Sequence, residues 1–287
     1  MEAGISDDTS TRSNARVAPA AESRAGGRSW RGAVYPFVGL GLLVALWYAT
    51  WFSGFVSQRL LPRPDQVLAV FWVELTTGDL HVDILTSLAR VVTGVLIGCS
   101  AAIPVGILLA WYPRANKMFA PIINFFRSVP PIALIPLVIV YLGIGEQARV
   151  SILVYAAFFT SVIVIFEGVS SIEDIYIRAA RVLGASEAEI FRRVLMPLVV
   201  PQVFVALRIS IGLSWATLVA AELLAATNGL GAVIQNAGNF FNIPKIYVGI
   251  ACIGALAMLM DPLNKVGGHA DIQRSVHTVA HHIDGDE

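Results

Sequence analysis

The chain reads as six apolar runs divided by polar stretches. The runs lie near 33–54, 88–111, 128–143, 150–168, 198–222 and 246–263. About 20 apolar residues are enough to cross the hydrocarbon core of a bilayer as a helix. The third run is interrupted by Pro130, Pro131 and Pro136, which predicts a broken span preceded by a short interfacial helix over 115–127. Irregular backbone at membrane depth survives only inside protein or beside a water-filled cavity, so Pro131 and Pro136 are candidate residues of a path or gate. The expected class is an all-α polytopic membrane protein with about six transmembrane helices, its membrane domain covering 31–264.

One polar stretch stands apart from the other connections. Residues 170–197 are Arg-rich and helix-forming, and they are longer than an ordinary interhelical loop. Ser170 and Glu173 stand three apart, the spacing of a capping box, ahead of a helix that carries Ile175, Ala179, Val182 and Leu183 on one side. Gly184 occupies the position of a C′ glycine, free to take the left-handed conformation that ends a helix. Ser186 and Glu189 form a second capping signature, and the helix they open is expected to stop at Pro197. A helix–Gly–helix between two spans is a shape built to be gripped by another protein.

This stretch resembles the EAA loop in the permease subunits of bacterial ABC importers, whose pattern is E-A-A-x3-G-x9-I-x-L-P. Arg178, Ala179, Ala180, Gly184, Val194, Met196 and Pro197 fall on those positions. The alanines, the glycine and the proline match. Arg178 replaces the acidic first residue, and Val194 and Met196 are apolar replacements. Other segments narrow the resemblance to the nitrate, sulfonate and taurine branch. They are Leu61-Pro62-Arg63-Pro64-Asp65, Ser87-Leu88-Ala89-Arg90, Pro130-Pro131-Ile132-Ala133-Leu134, Leu142-Gly143-Ile144-Gly145-Glu146, and Trp215 to Glu222 leading to Gly229-Leu230-Gly231. The fifth-span segment looks most like that of the taurine permeases. The resemblance covers about 35–263. It implies a type I ABC importer permease fold working as a homodimer, a separate ABC ATPase gripping the 170–197 loop, and a periplasmic or lipid-anchored substrate-binding protein delivering taurine, another sulfonate or nitrate.

Composition agrees with the membrane reading. Of 287 residues 56% are hydrophobic and 14% charged, against about a quarter charged in soluble domains, and mean hydropathy is +0.71. The net charge of zero gives no footprint for nucleic acid. Cys99 and Cys252 lie inside apolar runs and read as packing residues. No H-E-x-x-H, G-x-S-x-G or G-x4-G-K-[ST] occurs, so neither a catalytic constellation nor a cofactor or metal site is expected, and any ATP hydrolysis must come from another subunit. Residues 1–30 read as a disordered cytoplasmic tail and 265–287 as a cytoplasmic C-terminal tail that departs from the family's usual basic ending. In that tail His277 and His281 stand four apart, as either a solvated face or a metal pair.

Lysine and arginine set the expected orientation. Arg12, Arg16, Arg24, Arg28 and Arg31 precede the first run, Arg114 and Lys117 follow the second, and Arg178, Arg181, Arg192 and Arg193 follow the fourth. The opposite loops hold Arg59 and Arg63, then Arg149, then Lys245. The positive-inside rule then puts both termini and the 170–197 loop in the cytoplasm. Glu222 and Arg208 belong to the fifth run, where a charge facing lipid is costly. Each is a candidate path or gate residue, or else a structurally paired or snorkelling charge, with Arg208 read as near the cytoplasmic end. Glu146 reads as part of a tight outer turn or as a contact for an arriving receptor. Residues 229–242 are too short to span and either dip back toward the outer mouth or form an external loop. A membrane-embedded enzyme and an ion-coupled secondary transporter are the rival classes. The first lacks a cluster of His, Cys or carboxylates at membrane depth, and the second lacks internal repeats and paired carboxylates.

Overall fold

The structure, a computed structural model, describes residues 30–260. The described residues are helical, without strands. In order they form α1 (Trp30–Phe52), α2 (Pro64–Thr76), α3 (Leu80–Trp111), α4 (Pro113–Ser128), a 3-10 turn (Pro131–Leu134), α5 (Ile135–Leu142), α6 (Glu146–Ser170) and α7 (Asp174–Val182). Next come α8 (Glu187–Glu189), a π-helical turn (Ile190–Leu195), α9 (Met196–Ala225), α10 (Leu230–Asn239) and α11 (Ile243–Met260). The expectations for the two tails, His277 and His281 included, lie outside the described residues, apart from Trp30.

By contacts the chain divides into residues 1–49 and 50–287. The described part of the first is most of α1, whose apolar portion Val38–Phe52 is shorter than a full span. Among the described residues of the second, four helices are long and apolar enough to cross a membrane: Leu80–Trp111, Glu146–Ser170, Glu187–Leu224 and Ile243–Met260. The interrupted third run is a broken pair, Pro113–Ser128 and Pro131–Leu142, bent by 83°. Pro130, with no N–H of its own, precedes the 3-10 turn. Pro131 and Pro136 occupy first-turn positions of the two segments that follow, where a missing donor is tolerated.

α3 and α6 form the centre of the second unit, and glycines set their spacing. Gly94 lies against Leu153, Gly98 against Ala157 and Gly106 against Ile165, so the two helices run in the same direction. Ala102, fully buried, continues the four-residue step. Small residues at this interval let backbones approach closely in a membrane. Two parallel neighbours need a crossing between them, and the bent pair α4–α5 is the segment available to make it. α9 runs antiparallel to both, with Ser210 Oγ 2.8 Å from Ser161 Oγ, which in turn is 3.0 Å from Cys99 Sγ.

A Cβ at Gly98 would lie 2.7 Å from the Ala157 Cβ and 2.8 Å from the Val154 carbonyl oxygen. Gly98→Val must therefore push two backbones apart, and overpacking of this kind costs about 1–3 kcal/mol or more. We expect a lower melting temperature of the detergent-solubilised chain, with Gly39→Val, where nothing lies within 4 Å, as the neutral control.

Candidate functional site

The 170–197 segment folds into a helical hairpin at the end of the unit where α3 and α6 finish. Its first helix is capped differently from the spacing's forecast. α6 continues to Ser170, and Ser171 donates its backbone N–H to the Glu167 carbonyl. Ser170 is thus still inside a helix and cannot cap the next one, and Glu173 becomes the N-cap of α7 without a side-chain cap bond. The exit from α7 follows the sequence signal. Gly184 takes φ +83°, its N–H donates to the Arg181 carbonyl at 3.0 Å, and the Ala185 N–H donates to the Ala180 carbonyl at 3.1 Å. These two bonds make a Schellman motif, which depends on the left-handed residue.

The second helix opens on the expected box. Ser186 Oγ accepts the Glu189 N–H at 3.3 Å, while the Glu189 carboxylate accepts the Ser186 N–H at 3.0 Å. Contrary to expectation, the helix does not end at Pro197. In the π-helical turn Ile190–Leu195 the Met196 N–H donates to the Phe191 carbonyl, five residues back. The wider turn leaves room for the proline ring in the next turn, and the rod runs unbroken from Glu187 to Leu224.

The two arms of the hairpin differ in exposure. Ile190 and Leu195 are buried. Leu195 and Val199 pack with Ile107 of α3 and with Ile165 and Val169 of α6. Phe191 meets Trp111 edge-on, with ring centroids 5.7 Å apart. On the other arm Val182 and Leu183 are 87% and 85% exposed, and Ile175 and Tyr176 are exposed beside them. Arg178 is exposed and pairs with Asp174 at 3.3 Å. Ala179 and Met196 are exposed, and Ala180, Val194 and Pro197 are half-buried. The hairpin thus presents an apolar tip on one arm and is anchored by the other.

At the opposite end of α3, α6 and α9 the structure gathers a buried charge cluster. Glu222, 1% exposed, accepts from Arg90 Nη1 at 2.6 Å, from Ser87 Oγ at 2.8 Å and from the Gly231 N–H at 2.8 Å. Arg90 also donates Nε to Glu146 at 2.7 Å and Nη1 to the Asn228 carbonyl at 2.8 Å. Its Nη2 is bonded to the same Glu146, which also receives Arg149 Nη1 at 2.7 Å. Ser87 Oγ accepts the Leu230 N–H at 2.9 Å, and Asp83 accepts the Gly229 N–H at 2.7 Å. Gly229, at φ +113°, turns the chain so that these amides face the carboxylates. The cluster ties α3, α6 and α9 to the start of α10, and α10 packs against α9 and α3 rather than leaving as an external loop.

The candidate path residues therefore separate. Glu222 lies inside this cluster, while Arg208 is exposed on α9, 14 positions away. Pro136 is exposed and Pro131 half-buried at the break in the third span. Glu146 is the first residue of α6 and not part of a loop. Arg90, Ser87 and Asp83 escaped the functional reading because the second span was expected to begin at 88. α3 begins at Leu80, which puts Arg90 three turns inside a helix, and a charge at that depth is the signal that marks it.

Comparison with known proteins gives one answer. A model of the family described as binding-protein-dependent transport system inner membrane component matches residues 102–265. A probable ABC transporter permease protein of Brucella melitensis biotype 1 is 43% identical over 231 residues, covering 79% of this chain and 93% of its own length. The taurine transport system permease protein TauC of Escherichia coli K12 is 37% identical over 228 residues, covering 77% of this chain and 82% of its own. Among solved structures, a chain of the inward-facing MetNI methionine ABC transporter superimposes with a TM-score of 0.62 at 24% identity, covering 69% of this chain and 98% of that one. At that identity the likeness concerns the fold, which is that of a type I ABC importer permease.

Proposed function

Because this chain belongs to the binding-protein-dependent transport system inner membrane components, we propose that it is the permease subunit of an ATP-driven importer for taurine or a related aliphatic sulfonate. Two copies enclose the path. An ABC ATPase supplies the energy, and a substrate-binding protein delivers the substrate. Both termini and the 170–197 hairpin face the cytoplasm, and the Arg90–Glu222 cluster lies toward the outside. The sulfonate reading rests on the 37% identity to a taurine permease. Aliphatic sulfonate and nitrate permeases at 31% identity make those anions the natural comparison substrates.

The observation that carries the proposal is the hairpin's exposed apolar tip on a rigid, doubly capped turn. Residues such as Val182 and Leu183 are not left in water without a partner, and an ATPase groove covers them. The anchored arm supplies the transmission. It is one rod with α9, its Phe191 bears on α3, and its Leu195 bears on both α3 and α6. A displacement of the tip therefore moves the three helices that hold the membrane core. Closure of two ATPases would draw the two hairpins together and open the path outward, and hydrolysis would reset it.

Docking is tested by co-purification. Val182→Asp with Leu183→Asp should leave the permease folded, because both side chains are in solvent, and should abolish recovery of the ATPase with it. Full recovery of the ATPase with the doubly charged variant would place docking elsewhere.

A further inference from the structure

α4 follows directly on α3 and returns along the core. Its Ile123 is buried with Ala102 and Leu109 of α3 and Val162 of α6. Phe126 stacks on Phe159, with ring centroids 5.6 Å apart, and its carbonyl accepts the Tyr155 hydroxyl. Tyr155 and Phe159 lie inside the stretch of α6 from 150 to 166, which holds no charged residue. From Pro113 to Phe126 the helix climbs about 20 Å. Its far end therefore stands within the hydrocarbon layer, not in the interfacial plane expected for 115–127.

Three stripes at helical spacing divide its surface. Phe119, Ile123 and Phe126 turn toward α3 and α6. Met118, Ile122 and Phe125 are exposed and apolar, as a lipid face is. On the third stripe Lys117, Pro121, Asn124 and Ser128 are exposed, and Arg127, also exposed, borders them. Pro121 has no N–H to give the Lys117 carbonyl, so that acceptor lacks its helical donor on the same side. Among the described residues no carboxylate pairs with Arg127. Its Cα–Cβ bond leans toward the start of α4, which turns the stem deeper and away from the surface at the Arg149 end. Charged and polar groups at such depth face a bundle interior or a water-filled cavity. The third stripe is accordingly not a lipid face.

We propose that this stripe is a wall of the translocation path and that Arg127, at its deep end, meets a small oxyanion there. The proposal rests on the importer reading above and names residues that serve it. With two copies around the path, two guanidinium groups face the passing solute, attracting anions and repelling cations. The planar fork of each suits the trigonal oxygens of a sulfonate or a nitrate. Lys117 continues the same sign toward the hairpin end.

The test uses the complete complex of permease, ATPase and binding protein in proteoliposomes. A sulfonate-bearing and a quaternary-ammonium thiol reagent, both membrane-impermeant, are supplied on both sides of the membrane. Asn124→Cys and Ser128→Cys should be modified in at least one nucleotide state, and Ile122→Cys and Phe125→Cys in none. The parent, with its buried Cys99 and Cys252, gives the background. At Asn124→Cys the anionic reagent should outpace the cationic one. Adding Arg127→Gln should lower that ratio by about tenfold, the order expected of one unit charge a helical turn away at a protein–water boundary. A purely structural arginine would change both rates together. Adding Arg127→Lys, which keeps the charge and loses the fork, should preserve most of the ratio. Uptake of taurine, ethanesulfonate and nitrate should fall in Arg127→Gln and recover in part in Arg127→Lys. Equal labelling of the two stripes, or inert thiols at both Asn124→Cys and Ser128→Cys in every nucleotide state, overturns the wall. A reagent ratio unmoved by Arg127→Gln overturns the anion contact, and either result leaves the importer function standing. If the parent complex takes up none of these anions, the substrate reading fails instead, and the labelling still decides whether the stripe faces water.

Discussion

Gly184→Pro is expected to yield an assembled transporter whose ATPase no longer responds to the loaded binding protein. Gly184 stands at φ +83° and donates its N–H to Arg181. Proline fixes φ near −65° and has no N–H, so the substitution removes both halves of the turn that sets the angle between α7 and the anchored arm. The side chains that touch the ATPase remain, so binding persists while transmission fails. Loss of stimulation by about tenfold or more corresponds to the usual range of coupling free energies. Gly184→Ala, which keeps the donor and pays only for a left-handed residue, about 1–2 kcal/mol, should retain an intermediate response. Stimulated hydrolysis at the parental rate in the proline variant would mean that the turn geometry plays no part in coupling.

The largest expected effect on stability lies at the other end of the molecule. Arg90→Ala leaves Glu222 as a buried carboxylate without its cation, and breaking a buried pair from one side costs about 3–5 kcal/mol. The backbone amides of Leu230 and Gly231 depend on the same groups through Ser87 and Glu222, so the damage extends to the packing of α10. Melting in detergent should show a large loss for Arg90→Ala and for Glu222→Ala. Replacing both together by apolar residues of similar size should recover part of it, since no isolated charge is left. Glu146→Gln should be milder than either, because Glu146 is 57% exposed, so water reaches the site, and its amide oxygen can still accept from Arg90 and Arg149. Equal effects at Glu146 and Glu222 would contradict the view that burial sets the scale.

What could be read from the sequence divides by range. Gly184 and the Ser186–Glu189 box are local devices. Each acts within a few residues, so spacing alone was enough to place them. The Ser170–Glu173 spacing is identical in kind and misled, because α6 runs past the point where hydrophobicity fades and takes Ser170 into its last turn. The passage through Pro197 depends on a π turn, which no simple periodicity announces. The charge cluster was out of reach for a different reason. Glu146 and Glu222 stand 56 and 132 positions from Arg90, and it takes the parallel packing of α3 and α6 on glycines, with α9 antiparallel to both, to bring them together. The same boundary effect applies to the fifth run, expected from 198 but part of a helix that begins at Glu187, since an apolar run shows where a helix is greasy and not where it begins.

The most direct test is ATP hydrolysis by this permease reconstituted with its ATPase and binding protein, measured with the binding protein empty and loaded in turn with taurine, longer alkanesulfonates and nitrate. The account predicts that the ATPase co-purifies with the permease and that a sulfonate-loaded binding protein stimulates hydrolysis above the empty one. Stimulation by nitrate alone would keep the importer and discard the sulfonate. A permease that associates with no ATPase would contradict the account at its centre.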